Sequence, residues 1–297
     1  MAASRITPAA LVKQLFWASR PVSWINTAYP FAAAFLFVGG NLWSSVFWVG
    51  TLFFLIPYNL LMYGINDVFD YESDLRNPRK GSIEGSILDK KWHRPTLLVS
   101  FSLPIPFVVF LIANGTIAST IWLLIFVFTV IAYSAKGLRF KEIPVLDSFT
   151  SATHFFGPMI VGIAIAGGSL TNPSTVDVIF SFMLWGMASH AFGAVQDIKA
   201  DREGGLASIA TAIGAKATVR FALIAYALAG ILLLRTPFPG PLAAVAAIPY
   251  LAILAPFWNL SDANCEQANK GWRRFIWLNF FAGFVVTMIL ITSVLTR

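Results

Sequence analysis

Charged side chains are scarce in this chain: Asp, Glu, Lys and Arg make up 12% of its 297 residues, against about 25% in an ordinary soluble domain. That shortage excludes a water-facing surface over most of the molecule and leaves no soluble domain of useful size. Cysteine is scarcer still. The one residue, Cys265, rules out an internal disulfide and a four-cysteine metal centre, and reads as an incidental thiol. The N-terminus lacks a short apolar segment with a small-residue cleavage site. Instead Arg5, Lys13 and Arg20 precede an apolar stretch long enough to span, so no removable signal peptide is expected. What abounds is hydrocarbon: 57% of residues are hydrophobic and 27 are Phe, with a mean hydropathy of +0.73. The apolar residues fall in blocks of about twenty rather than on one amphipathic face, which predicts an all-α, multi-pass membrane protein.

Nine spans are predicted, at about 22–39, 43–63, 96–113, 117–134, 147–167, 175–195, 217–234, 240–258 and 275–294. They form a single membrane domain over 1–297, read as two four-helix units, 22–134 and 147–258, plus a ninth helix. Of the 21 Lys and Arg residues, 19 fall on one side, and only Arg235 and Arg297 lie on the other. The positive-inside rule therefore puts the N-terminus and the loops at 64–95, 135–146, 196–216 and 259–274 in the cytoplasm. The net charge of +7 is accounted for by this sidedness, and no nucleic-acid partner is expected.

Two acidic segments break this pattern, each directly after an apolar run. The first contains Asn66, Asp67, Asp70 and Asp74, which share one side of a helix at i, i+1, i+4 and i+8. The second contains Asp197 and Asp201, one helical turn apart. A polar cap on a membrane helix explains one such cluster, but two at equivalent helix ends point to chemistry. Carboxylates this close need a cation between them, and a hard divalent ion that also bridges to substrate phosphates is the simplest choice. Cations lie nearby: Arg76, Arg79, Lys80 and Arg94 in the first loop, Lys136, Arg139 and Lys141 with Tyr133 after the fourth span, and Lys199 beside Asp197. Acids that hold Mg²⁺ and bases that hold the remaining phosphate charge make a diphosphate site. His154, His190, Asn26 and Asn59 are polar groups within spans; interhelical hydrogen bonding is their ordinary use, and removing a proton from a product is the functional alternative.

With these motifs in order, the sequence resembles the UbiA superfamily of intramembrane prenyltransferases. Asn66-Asp67-x-x-Asp70-x-x-x-Asp74 matches the family's first motif and Asp197-x-x-x-Asp201 its second. Tyr133-Ser134 with Lys136, Arg139 and Lys141 is similar to the basic segment between them, and Arg20-Pro21 to the family's opening. One departure is the insertion from Arg79 to His93 ahead of Arg94-Pro95, which bears on the acceptor and not on the diphosphate end. The resemblance implies a UbiA-like helical bundle and Mg²⁺ held by the two acidic motifs. It also implies transfer of an allylic group from its diphosphate to a lipophilic acceptor in the bilayer.

Within that family the continuation Leu75-Arg76-Asn77-Pro78-Arg79-Lys80-Gly81 and Glu84-Gly85 looks like the version in carotenoid elongases. The spans hold almost no fixed charge that could grip an acidic acceptor, whereas a polyene needs only apolar and aromatic walls. Lycopene as acceptor and dimethylallyl diphosphate as donor are therefore expected. An aromatic or tetrapyrrole acceptor is the alternative, and a secondary transporter is the rival from another class. Transporter sites lie near the bilayer midplane, whereas these acids sit at helix ends.

Overall fold

The computed structural model describes residues 7–75 and 88–295, and every regular element among them is helical. Fourteen α-helices follow in order: α1 (Pro8–Ala18), α2 (Trp24–Phe37), α3 (Ser45–Leu55), α4 (Pro57–Phe69), α5 (Tyr71–Asp74), α6 (Lys90–Ser102), α7 (Pro104–Ala113), α8 (Ile117–Ser134), α9 (Leu146–Ile165), α10 (Pro173–Val195), α11 (Ile198–Glu203), α12 (Ile209–Leu234), α13 (Ala247–Leu254) and α14 (Asn269–Leu295). Among the described residues eight helical stretches are long and apolar enough to cross a bilayer. The first of the nine predicted spans, 22–39, is the shorter α2, preceded by a single 3₁₀ turn at Pro21–Ser23. The chain is a multi-pass membrane protein.

Prolines divide two of the spans, and the bundle repairs the damage. Pro57 separates α3 from α4; the fully buried Asn59 then donates to the carbonyls of Phe54 at 2.9 Å and Leu55 at 3.0 Å, and to Thr27 Oγ1 at 2.6 Å. This satisfies backbone groups that hydrocarbon cannot. Asn59 is therefore a structural residue. Pro104 likewise stands at the start of α7, where α6 ends.

Because lipid offers no hydrophobic drive between helices, close approach by small residues matters most. At Gly162 an added Cβ would lie 2.5 Å from the Phe31 carbonyl oxygen, so the absence of a side chain there lets α9 and α2 meet backbone to backbone. The most enclosed span is α9, with α2, α8 and α10 packed around it. One core cluster is rich in Phe, among them Phe31, Phe53, Phe54 and Phe126. The other, built on α10, α12 and α13, is rich in Ala and closes on Tyr226 and Tyr250. In α12 the helix is interrupted at Gly214 (φ 79°), where Asp262 accepts from the Ala215 amide at 2.7 Å.

Candidate active site

One cavity of about 1910 Å³ runs between these helices. Its charged mouth collects Asn66, Asp70, Arg139, Lys141, Asp197 and Asp201, together with Arg20 and Glu142. Below the mouth the walls are Tyr29, Phe155, Phe182, Trp185 and Phe275, and the cavity continues to Thr175 and Phe238 at the far end of the bundle. Its α10 wall extends from Ser174 to beyond Ala194, a length of about 30 Å at 1.5 Å per residue.

The first acidic segment is not one continuous helix. Helix α4 ends at Phe69, and Asp70 caps it with φ −98° and ψ 0° before the short α5 begins. Asp67 and Asp70 therefore diverge. Asp67, 3% exposed, turns into the bundle and accepts from Arg20 Nη2 at 2.8 Å. Arg20 also lies over the Tyr63 ring at 4.5 Å, and its backbone is left-handed (φ 51°). Asp70, 5% exposed, pairs with Lys141 Nζ and stands 3.6 Å from Arg139 Nη2. The cation that three neighbouring carboxylates require is thus supplied in part by the protein's own side chains. Asn66 donates to Ser134 Oγ at 3.1 Å, which brings α4 against the end of α8.

Arg139 occupies a strained position: φ is 43° and ψ is 50°, just after Gly137 at φ 93°. A non-glycine residue there costs about 1–2 kcal/mol, and here three partners hold it. Besides Asp70, the guanidinium binds the Glu142 carboxylate and reaches the Phe69 carbonyl at 3.5 Å. The hydrogen bond from Arg139 holds the Glu142 carboxyl below its ordinary range, and the same bond raises Arg139.

In the second acidic segment, Asp197 caps the N-terminus of α11 and Asp201 follows one turn later, its amide bonded to the Asp197 carbonyl at 2.8 Å. Both side chains are half-buried. The cations of this segment turn outward: Lys199 lies 3.6 Å from Glu266, and Arg202 binds Asp262 at 2.7 Å. Lys199 is therefore not part of the cavity lining. Nor are Lys136, exposed in the turn after α8, and Arg94, exposed on α6. Arg76, Arg79 and Lys80 lie outside the described residues, as does the side chain of Asp74.

Among the intramembrane polar groups, Asn26, His154 and His190 line the cavity. Tyr133, predicted at the diphosphate, has its hydroxyl 3.2 Å from His190 Nε2. The sequence reading did not place Arg20, Glu142 or Asp147 in or beside the site. Asp147, fully buried, accepts from the Ser148 amide at 2.7 Å and from the Ile209 amide at 2.8 Å. It thereby ties the start of α9 to the start of α12. A lone acid at a helix start carries no local sign of a partner 62 residues away. Arg20 did have a sign, the adjacent Pro21, but nothing in its spacing pointed to Asp67.

Comparison with known proteins follows the same lines. The model of the UbiA prenyltransferase family matches residues 27–284. Over 286 residues the chain is 56% identical to the C(50) beta-cyclic carotenoids biosynthesis protein LbtBC of Dietzia sp. (strain CQ4). The match covers 96% of this chain and 66% of that protein, just under two thirds of its length. Over 282 residues it is 51% identical to the lycopene elongase/hydratase of Corynebacterium glutamicum, covering 94% of this chain and 97% of the other. Its fold is similar to a UbiA homolog from Archaeoglobus fulgidus bound to DMAPP and Mg²⁺, with a TM-score of 0.66 and 18% identity over 90% of this chain and 98% of that one. The family match spans most of the chain and both relatives align along nearly all of it, so the protein belongs to the UbiA prenyltransferase family.

Proposed function

We propose that this chain is a lycopene elongase, which transfers a dimethylallyl group from its diphosphate to each end of lycopene and yields C45 and then C50 products. The observation that carries the reading is the pair of relatives at 51% and 56% identity, named for lycopene elongation and C50 carotenoid biosynthesis. The cavity supports it. One mouth holds the acids and bases, and a long aromatic and apolar chamber leads away from them, a shape suited to a rod-like polyene.

The donor set fits Mg²⁺. Asp70, Asp197 and Asp201 with the Asn66 amide are hard oxygen ligands on separate elements of one mouth. Such donors suit an ion shared between one or two carboxylates and substrate phosphates. Bound there, Mg²⁺ would neutralise charge developing on the leaving diphosphate. Arg139 offers a fork and Lys141 a point charge to the same phosphate oxygens. Asp67 holds Arg20 at the rim. As the carbon–oxygen bond breaks, faces of Tyr29, Phe155 and Trp185 attract the allylic cation, and the apolar wall keeps out water that would quench it. The terminal alkene of lycopene then supplies the electron pair for the new carbon–carbon bond.

The same reading places the charged mouth in the cytoplasm, where the soluble donor is made, because 19 of the 21 Lys and Arg residues lie on that side. The test is purified protein in lipid nanodiscs with Mg²⁺, dimethylallyl diphosphate and lycopene. C45 and C50 carotenoids are the expected products. Protein that ignores lycopene and prenylates a hydroxybenzoate, a dihydroxynaphthoate or chlorophyllide overturns the acceptor assignment.

A further inference from the structure

Beneath the charged mouth, a chain of hydrogen-bonded polar groups reaches the chamber wall and belongs to neither acidic segment. The Tyr133 hydroxyl at the end of α8 is 3.2 Å from His190 Nε2, and His190 Nδ1 is 3.1 Å from Ser148 Oγ. Three helices, α8, α9 and α10, thus meet in one hydrogen-bonded chain, and Tyr133 and His190 both line the cavity. Buried polar chains in hydrocarbon are costly; interhelical hydrogen bonding is their ordinary use, and a chain that opens onto a reaction chamber can also carry a proton. The diphosphate chemistry above has no need of it.

Resting on the elongase reading, the structure points to what does need it. We propose that Tyr133 accepts the proton that ends each elongation and that His190 relays it. The π pair of the terminal alkene bonds to C1 of the dimethylallyl group as the C1–O bond breaks and its electron pair leaves with diphosphate. The tertiary cation so formed loses a proton from an adjacent carbon, and that C–H pair becomes the new double bond. The proton adds to the Tyr133 oxygen as the phenolic proton passes to His190 Nε2, while Nδ1–H donates to Ser148 Oγ. The imidazolium returns its proton to solvent at the mouth when the products leave. A proton beside a tertiary cation is far more acidic than a phenol or an imidazolium, so neutral Tyr and His suffice as bases. The buried Asp147 carboxylate, one residue from Ser148, favours a transient positive charge on the relay. His154 fits the role less well. It meets the Tyr133 ring edge-on at 5.1 Å, but its Nε2 has no hydrogen-bond partner among the described residues to pass a proton onward.

In this arrangement Tyr133 is the catalytic residue, and His190 and Ser148 are positioning residues. The experiment compares wild type with Tyr133→Phe, His190→Gln and Ser148→Ala in nanodiscs containing Mg²⁺, dimethylallyl diphosphate and lycopene. Diphosphate release and carotenoid products are measured separately. Wild type should form one new alkene end per diphosphate, counting one for each C45 and two for each C50 product. Tyr133→Phe and His190→Gln should keep KM for the donor within about twofold and still release diphosphate. Their new alkene ends per diphosphate should fall by on the order of 10²-fold, with dimethylallyl alcohol or a hydrated C45 carotenoid in their place. Ser148→Ala, which leaves both ring systems present, should shift products in the same direction by less. Unchanged coupling in Tyr133→Phe and His190→Gln overturns the proposal. So does a raised donor KM with coupling intact, which would assign Tyr133 to the diphosphate, and so does a wild-type product that carries added water instead of a new double bond. Wild type that makes no C45 product from lycopene refutes the elongase reading itself, a result distinct from each of these.

Discussion

In the first acidic segment Asp67 and Asp70 are 3% and 5% exposed, and each meets cations from distant parts of the chain, Arg20 in one case and Arg139 with Lys141 in the other. In the second, Asp197 and Asp201 are half-buried on α11, and the cations of that helix, Lys199 and Arg202, turn to Glu266 and Asp262 instead. The two segments read almost alike in sequence, yet they carry different loads. The first fastens α4 to the N-terminal arm and to the loop after α8, so its charges serve the fold as well as the chemistry. The second is set at the mouth by one turn of backbone, its carboxylates are half-buried, and the cations of its own helix serve other acids.

The comparison is sharpest when both segments are cut. Asp70→Ala and Asp197→Ala should each lower turnover of labelled dimethylallyl diphosphate by about 10³-fold, the scale of losing a principal charge-stabilising group. EDTA should do the same to wild type. Full activity in either variant would remove that segment from the mechanism. Stability should then separate the two. Asp70→Ala leaves Lys141 partly buried without this carboxylate and Arg139 with only that of Glu142, and should cost about 2 kcal/mol in a thermal melt in detergent, below the roughly 3–5 kcal/mol of a fully buried pair. Asp197→Ala removes a half-buried carboxylate rather than a buried one and should cost less than Asp70→Ala. Equal melting shifts would erase the distinction between the segments.

The smallest effect concerns pH. Arg139 lowers the Glu142 carboxyl below its ordinary 4.5, so the stabilisation from this pair is present above 4.5 and is lost as pH falls through the lower folded value. Wild type should therefore lose stability relative to Glu142→Gln on acidification below about pH 4.5. The difference should be about 0.5 kcal/mol because the pair is partly solvated. Parallel pH curves for the two proteins would show that Glu142 does nothing to brace Arg139.

How much of this was legible in the chain follows from which signals are local. Blocks of apolar residues marked the spans, and α2 proved shorter than its predicted 22–39 because hydropathy does not register the turn at Pro21–Ser23. Asn66, Asp70, Arg139, Lys141, Asp197 and Asp201 could be picked out by spacing and charge, and all line one mouth. The same criteria picked Lys136, Arg94 and Lys199, which point elsewhere, because loop composition does not encode the direction of a side chain. The first acidic segment was expected as one helix, whereas capping at Asp70 splits it and sends Asp67 inward to Arg20.

By itself, then, the sequence determined the all-helical, membrane-spanning character and the two acidic segments at span ends. Hydropathy and helical period depend only on residues a few positions apart. Only the tertiary structure decided which carboxylate meets which cation, with Arg20 reaching Asp67 across 47 residues. It alone joined Tyr133, His190 and Ser148 into one chain and gave the cavity its length. Those outcomes depend on how helices far apart in the chain lie against one another, and in a bilayer this is settled by close packing and by the need to satisfy every buried polar group.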